Sequence, residues 1–168
     1  MGTVVADTSG LVSLGIAAGD DPDPLADCLD EYNVVVPSIV FDELQEIADF
    51  EDAHGRAAAA VVDSDATERR HADLDEEFPL DDGENAAVTL ANEIDADLFL
   101  CDEFNSLGLI HASLSNTRLV TTPTLLSVLV RRGRLSTAEA ASALETISRA
   151  RSWESNSYVT RARALFDD

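Results

Sequence analysis

The alternation of short apolar runs with amphipathic patterns most constrains how this chain can fold. The predicted strands are TVVAD at 3–7, YNVVVP at 32–37, DLFLCD at 97–102 and RLVT at 118–121. A helical pattern follows each of them, and two more helical patterns end the sequence. Buried strands that alternate with helices predict an α/β fold, here a three-layer α/β/α sandwich with a mostly parallel central sheet and a helical C-terminal tail.

Several element boundaries are indicated by local signals. Pro37 stops the second strand, and Ser38 is placed to cap the helix IVFDELQEIADFED. Ser136 and Glu139 have capping-box spacing at the start of a later helix. The polar stretch 64–80 is predicted as a loop, with one edge strand as an option.

Length and apolar patterning favour a single folded domain. The chain has 168 residues, 45% of them hydrophobic, which is enough for a proper core. Its longest apolar run, AAAAVV at 57–62, is far short of the roughly 18 residues of a membrane span, and no apolar signal segment opens the sequence. A soluble, cytoplasmic protein is therefore expected. Cys28 and Cys101 have no metal-ligand spacing and are predicted to be reduced, with Cys101 buried.

The net charge is −22, and all 11 basic residues are arginine, with no lysine. This composition is typical of salt-accumulating halophiles, in which charge repulsion is screened within about 3 Å at 1 M salt. Most of the 33 acids are therefore interpreted as solvating surface. An acidic chain would ordinarily argue against a nucleic-acid partner, because phosphate binding depends on basic residues that release counterions.

The charge is unevenly distributed, which weakens that argument. Residues 1–117 carry 28 acids and 3 arginines, whereas residues 118–168 carry 5 acids and 8 arginines. The cluster RRGR at 131–134 and the RAR triplets at 149–151 and 161–163 are candidates for contacting phosphates or an acidic partner, with Arg131, Arg132 and Arg134 as the first choice. The alternative is that these arginines pair with acids of the first two-thirds.

Four acids occupy positions that solvation does not explain. Asp7 and Asp102 each end a predicted strand, where parallel sheets gather ligands. On helical wheels Glu43 and Glu84 lie about 60° from an apolar stripe residue, so both lean inward. Each has an alternative role: the aspartates as helix caps, Glu43 as a flanking residue, and Glu84 as part of a capping box with Asp81. A capping box does not explain the glycine that precedes Glu84.

Together these positions resemble the PIN-domain superfamily. The matching stretches are VVADTSGLVSL, VVVPSIVFDEL and LDDGENAAVTLANEIDADLFLCDE, the last resembling the branch with a Gly-Glu-x-Ala pattern that includes VapC-like toxins and related archaeal proteins. The resemblance implies a PIN-like catalytic domain over residues 1–130, with residues 131–168 as a helical extension packed on it. It also suggests a haloarchaeal-type source. The stretch CDEFNSLGL departs from the family, because it lacks the basic residue that often follows the fourth acid.

The resemblance implies a divalent-metal-dependent endonuclease acting on single-stranded RNA. The implied catalytic and metal-binding residues, for Mg²⁺ or Mn²⁺, are Asp7, Glu43, Glu84 and Asp102, with Ser9, Glu103 and Asn105 in support. A toxin with a small antitoxin partner is one implied setting, RNA processing is another, and a homodimer is expected for the family. The alternative is a catalytically weak or inactive RNA-binding or scaffold module. Phosphatase chemistry is disfavoured, because DTSG lacks the second aspartate that haloacid-dehalogenase-type phosphatases use two residues after the first.

Overall fold

The computed structural model describes residues 1–167 and confirms the predicted α/β/α sandwich. Within these residues the chain forms five strands and nine helices. The elements are β1 (Gly2–Ala6), α1 (Thr8–Gly15), α2 (Pro24–Glu31), β2 (Tyr32–Pro37), α3 (Ser38–Ala48), α4 (Ala53–Val62), β3 (Thr67–Arg70), α5 (Asp82–Glu93), β4 (Leu98–Leu100), α6 (Leu107–Ser113), β5 (Arg118–Val120), α7 (Thr122–Arg131), α8 (Thr137–Arg151) and α9 (Ser157–Phe166). None of these helices is long and apolar enough to cross a bilayer.

The central sheet is entirely parallel, with the strand order β3-β2-β1-β4-β5. Strand β1 lies in the middle of the sheet; β2 and β3 are added on one side of it, and β4 and β5 on the other. Val4 of β1 is paired with Val34 of β2 and with Leu98 of β4. Such a reversal of strand order opens a crevice at the carboxyl ends of the strands, where α/β proteins bind ligands.

Two apolar cores cover the two faces of the sheet. Alternate strand residues face opposite sides: Val4 packs with α1 and α7, whereas Val5 and Phe99 pack with α5 and α6. Because both faces are buried, the strands contain consecutive apolar residues and not an alternating pattern. Because the strands are buried on both faces, the positions of their ends are well defined, and so are the positions of the residues that directly follow them.

Three local features differ from the sequence-based expectations or add to them. Helix α2 was not predicted; Asp23 caps it by accepting a hydrogen bond from the Ala26 amide at 3.1 Å, and Pro24 lies in its first turn. The prediction that Ser38 caps α3 is wrong, because Ser38 is already helical and Pro37 occupies the cap position without a side-chain hydrogen bond. The optional edge strand in 64–80 is present as β3.

The C-terminal helices pack against the rest of the chain. Helix α8 begins with the predicted capping box of Ser136 and Glu139 and contacts both α1 and α7. Trp153, which follows α8, packs edge-on against Phe104 with 5.3 Å between the ring centroids. These contacts bring the end of α8 close to the carboxyl end of β4.

Candidate active site

Five carboxylates surround a small cleft at the carboxyl ends of β1 and β2. The cleft has a volume of about 50 Å³, enough for a few water-sized spheres. Its lining residues are Asp7, Thr8, Ser9, Glu43, Asp81, Gly83, Glu84 and Glu103. Three of the four acids that the sequence singled out are thus brought together, and Asp102 is not among the lining residues.

Asp7 follows β1 and has only 3% of its surface exposed. Its Oδ1 accepts hydrogen bonds from the Ser9 hydroxyl at 2.7 Å and from the Gly10 amide at 3.1 Å, so that it also caps α1. Burial, with a smaller contribution from the nearby charge of Asp102, raises the pKa of Asp7 to about 6 despite these hydrogen bonds. The carboxylate is held rigidly but is poorly compensated by charge.

Ser9 and Cys101 connect Asp7 to the end of β4. The Ser9 hydroxyl donates to Asp7 and accepts the Asp102 amide at 2.9 Å, and the Cys101 thiol donates to Asp7 Oδ2 at 3.1 Å. Burial and the charge of Asp7 raise the pKa of Cys101, so the thiol keeps its proton and remains a donor. Ser9 therefore orients Asp7, as does Cys101, for which no sequence pattern had indicated this role.

Glu43 reaches the cleft from the first half of α3. Its Oε2 accepts a hydrogen bond from the Thr8 hydroxyl at 2.8 Å, which fixes the carboxylate beside Asp7. Its Oε1 lies so close to Gly83 that a Cβ at that position would collide with it. The glycine before Glu84, which a capping box did not explain, leaves room for the Glu43 carboxylate in this position, and a larger residue would force that carboxylate to move. Burial raises the pKa of Glu43.

Glu84 lies in the first turn of α5 with 8% of its surface exposed. Asp81 caps the helix through the Glu84 amide at 2.8 Å, but among residues 1–167 the reciprocal half of the predicted capping box is absent. The Glu84 carboxylate lines the cleft instead. Burial and the charge of Asp81 raise its pKa to about 7, and the charges of Asp7 and Glu103 act in the same direction. Glu84 and Asp7 are therefore two acids whose ionisation the cleft opposes.

Asp102 lies behind the cleft. Its Oδ1 accepts the Thr122 amide at 2.7 Å and its Oδ2 accepts the Thr122 hydroxyl at 2.5 Å, so the carboxylate holds the first residue of α7. Only 5% of its surface is exposed. Although burial raises its pKa, these hydrogen bonds and the charge of Arg151 oppose that shift. The geometry gives Asp102 a structural position and places the neighbouring Glu103 at the cleft.

The two supporting residues after β4 lie in different places. Glu103 is exposed and borders the cleft, where its charge reaches Glu84. Asn105 is also exposed but lines neither this cleft nor the larger groove beside it.

The donor chemistry of the cleft suits a hard divalent cation. All the charged groups are carboxylates, the ligands that Mg²⁺ and Mn²⁺ prefer. Burial raises the pKa of Asp7 to about 6 and that of Glu84 to about 7, and a bound cation would favour the ionised form of both carboxyl groups. Within residues 1–167, however, no three His, Cys, Asp or Glu side chains converge closely enough to ligate one ion directly. Mg²⁺ usually keeps several of its waters, so direct contact with three protein ligands is not a requirement for its binding.

The predicted arginine cluster lies away from the cleft. Arg132 and Arg134 form ion pairs with Glu31 of α2 at 3.0 and 2.7 Å, and Arg132 also lies over the ring of Tyr32. Arg131 is exposed at the end of α7 and lines none of the observed cavities near the acids. Pairing with acids, the alternative interpretation, therefore describes Arg132 and Arg134 better than phosphate binding does.

A larger groove opens from the acid cleft, with a volume of about 420 Å³. It shares Thr8, Ser9, Glu43 and Glu103 with the cleft. Its other lining residues are Val12, Ile47, Phe50, Asp52, His54 and Arg151. Arg151 belongs to the RAR triplet at 149–151, which the sequence analysis named as a candidate for phosphate contact. No sequence pattern pointed to Phe50 or His54, which the α3–α4 turn brings to the groove.

A family model described as "PIN domain" matches residues 3–168 of the chain. No curated protein sequence matches it.

Proposed function

The chain belongs to the PIN-domain family, whose members are generally nucleases, and we propose that it is a divalent-metal-dependent endonuclease of single-stranded RNA. One observation carries the proposal: Asp7, Glu43 and Glu84 converge on one cleft at the carboxyl edge of the sheet, with pKa values raised by burial. A cation is the simplest compensation for that charge. The groove beside the cleft provides room for a polymer to reach it.

Some residues of the cleft would bind the metal ion, and others keep those metal-binding side chains in position. Asp7, Glu43 and Glu84 would hold Mg²⁺ or Mn²⁺, partly through water, with Glu103 at the rim. When bound, such an ion activates water, orients a phosphate and stabilises the leaving oxygen of an in-line displacement. Ser9 and Cys101 keep Asp7 in place, and Asp102 positions the start of α7 behind it.

Glu43 has the geometry to orient the attacking water. The Thr8 hydroxyl fixes Oε2, while Oε1 lies beside Gly83 at the start of α5. A carboxylate held in this way accepts a hydrogen bond from water and can take its proton as the phosphorus is attacked.

An RNA-binding module without cleavage is the second candidate. It is favoured by the absence, within residues 1–167, of three acids close enough to ligate one ion directly. For an active enzyme, both a toxin whose small antitoxin covers the cleft and an RNA-processing factor fit the site, and a homodimer is compatible with either. A small reading frame beside the gene would support the toxin setting.

The test of cleavage is metal dependence. We expect the purified protein to cut a labelled single-stranded RNA in Mn²⁺ or Mg²⁺ at high salt, because the acid cleft needs a cation to approach a phosphate. Product formation followed on a gel should stop in EDTA and return when Mn²⁺ is added in excess. Cleavage that survives EDTA would contradict the metal mechanism, and RNA binding without cleavage would favour the second candidate.

A further inference from the structure

The large groove combines an exposed aromatic ring with an arginine that forms no ion pair within residues 1–167. Phe50 has 62% of its surface exposed, the largest exposed fraction of any aromatic side chain within residues 1–167. Arg151 is half-buried at the end of α8, and within the same residues it forms no ion pair. The charge of Arg151 acts on the buried Asp102, and its side chain also lines the groove, where it is available to an anionic ligand.

The positions of both residues are fixed by the fold. Phe50 lies in the α3–α4 turn, where its amide bonds to the Ile47 carbonyl and its own carbonyl packs so closely on Gly55 that no Cβ would fit there. Arg151 lies against the Trp153 ring, with 5.9 Å between its Cζ and the ring centroid. Helix α1 contacts both α4 and α8, so the two residues line one groove across α1.

The acids that line the groove do not cancel this arrangement. Asp52 is occupied as the cap of α4, with its Oδ1 accepting the Gly55 amide at 2.8 Å. Glu43 and Glu103 belong also to the acid cleft, where a bound cation would offset their charge. Outside the shared edge, the groove offers an aromatic face, apolar side chains, an imidazole, a guanidinium and the Asp52 carboxylate, whose charge is partly offset by the start of α4.

We propose that this groove binds one nucleotide of single-stranded RNA beside the cleavage position, with its base on Phe50 and its phosphate at Arg151. The inference rests on the proposed nuclease function and adds where the substrate lies. Unpaired bases stack on aromatic side chains, and arginine pairs with phosphate oxygens through its planar fork. A volume of about 420 Å³ falls within the usual range of roughly 300–1,000 Å³ for small-ligand sites.

The test measures RNA binding separately from cleavage. Fluorescence anisotropy of a short labelled single-stranded RNA would be recorded in Ca²⁺, with a gel to verify that the RNA stays intact. We expect Phe50→Ala and Arg151→Gln each to raise the Kd about tenfold, because each removes one of the two contacts. Arg151→Gln should also lower the slope of log K against log salt by about 0.7, the value for one phosphate contact on a single strand.

Two matched variants control for surface and charge effects. Arg118→Gln makes the same charge change at an exposed position at the start of β5, outside the groove, and Leu165→Ala removes a comparably exposed apolar side chain on α9. Both should bind RNA like the wild type. Equal weakening by Arg118→Gln and Arg151→Gln, or unchanged binding in Phe50→Ala, would overturn the inference.

The remaining outcomes separate this inference from the proposed function. Cleavage by the wild type with an unchanged KM in Phe50→Ala and Arg151→Gln would refute the groove and leave the nuclease intact. RNA binding that depends on both residues, without any cleavage, would support the groove as a nucleotide site and contradict the proposed nuclease function. Binding of a fluorescent poly-glutamate peptide through these residues, with no binding of RNA, would assign the groove to an acidic protein partner and contradict the inference.

Discussion

Asp7→Asn should lower the rate of RNA cleavage in Mn²⁺ by about 10³-fold, which corresponds to about 4 kcal/mol of activation free energy. Asp7 is the most enclosed carboxylate of the cleft, and the variant removes its charge while keeping its shape. The asparagine oxygen can still cap α1, so the fold should be retained. The measurement is the initial rate of product formation from a labelled single-stranded RNA, together with the melting temperature of each protein.

Asp23→Asn provides the control for this substitution. Asp23 caps α2 through the same type of hydrogen bond, but it does not line the cleft. We expect its cleavage rate to match that of the wild type. Equal residual cleavage by the wild type and Asp7→Asn would mean that the activity does not come from this cleft.

Asp102→Ala should reduce the free energy of unfolding by about 2–4 kcal/mol. Both oxygens of Asp102 accept hydrogen bonds from Thr122, and the substitution leaves the buried Thr122 amide without a partner. Helix α7 begins at Thr122, so the loss loosens the contact between the end of β4 and the start of α7. Urea unfolding at constant high salt measures the change.

Asp102→Asn separates the structural role from a charge-dependent one. Its amide oxygen can accept from the Thr122 amide while its amide N–H donates to the Thr122 hydroxyl, so both hydrogen bonds can form. We expect this variant to be much more stable than Asp102→Ala and to keep most of the cleavage activity. A stable Asp102→Asn that has lost cleavage as completely as Asp7→Asn would instead make Asp102 a metal ligand.

The sequence predicts the sheet and the inward-facing acids well, because both depend on local periodicity. The apolar runs around Val4, Val34 and Phe99 could only be buried strands, and parallel strands place the residues after them at one edge. Helical geometry likewise placed Glu43 and Glu84 beside their apolar stripes, and both line the cleft.

Contacts between distant segments were beyond reach of the sequence alone. Asp102 and Glu103 are adjacent, and nothing local indicates that the first would bind Thr122 while the second faces the cleft. Similarly, Arg151 enters the groove only because α8 packs on α1, whereas Arg132 and Arg134 meet Glu31 through the packing of α2 near α7. Gly83 likewise borders the carboxylate of Glu43 on α3, a contact that no local sequence pattern indicates.

The most direct test of the account is the binding of Mn²⁺ by the acid cleft. Calorimetric titration at high KCl, which screens the acidic surface, would compare the wild type with Glu84→Gln and with Glu93→Gln. Glu84 lines the cleft, whereas Glu93 is exposed at the other end of the same helix. We predict one saturable binding event in the wild type and in Glu93→Gln, weakened at least about tenfold in Glu84→Gln. Equal binding by all three proteins, or no saturable binding by the wild type, would contradict a metal centre formed by these acids.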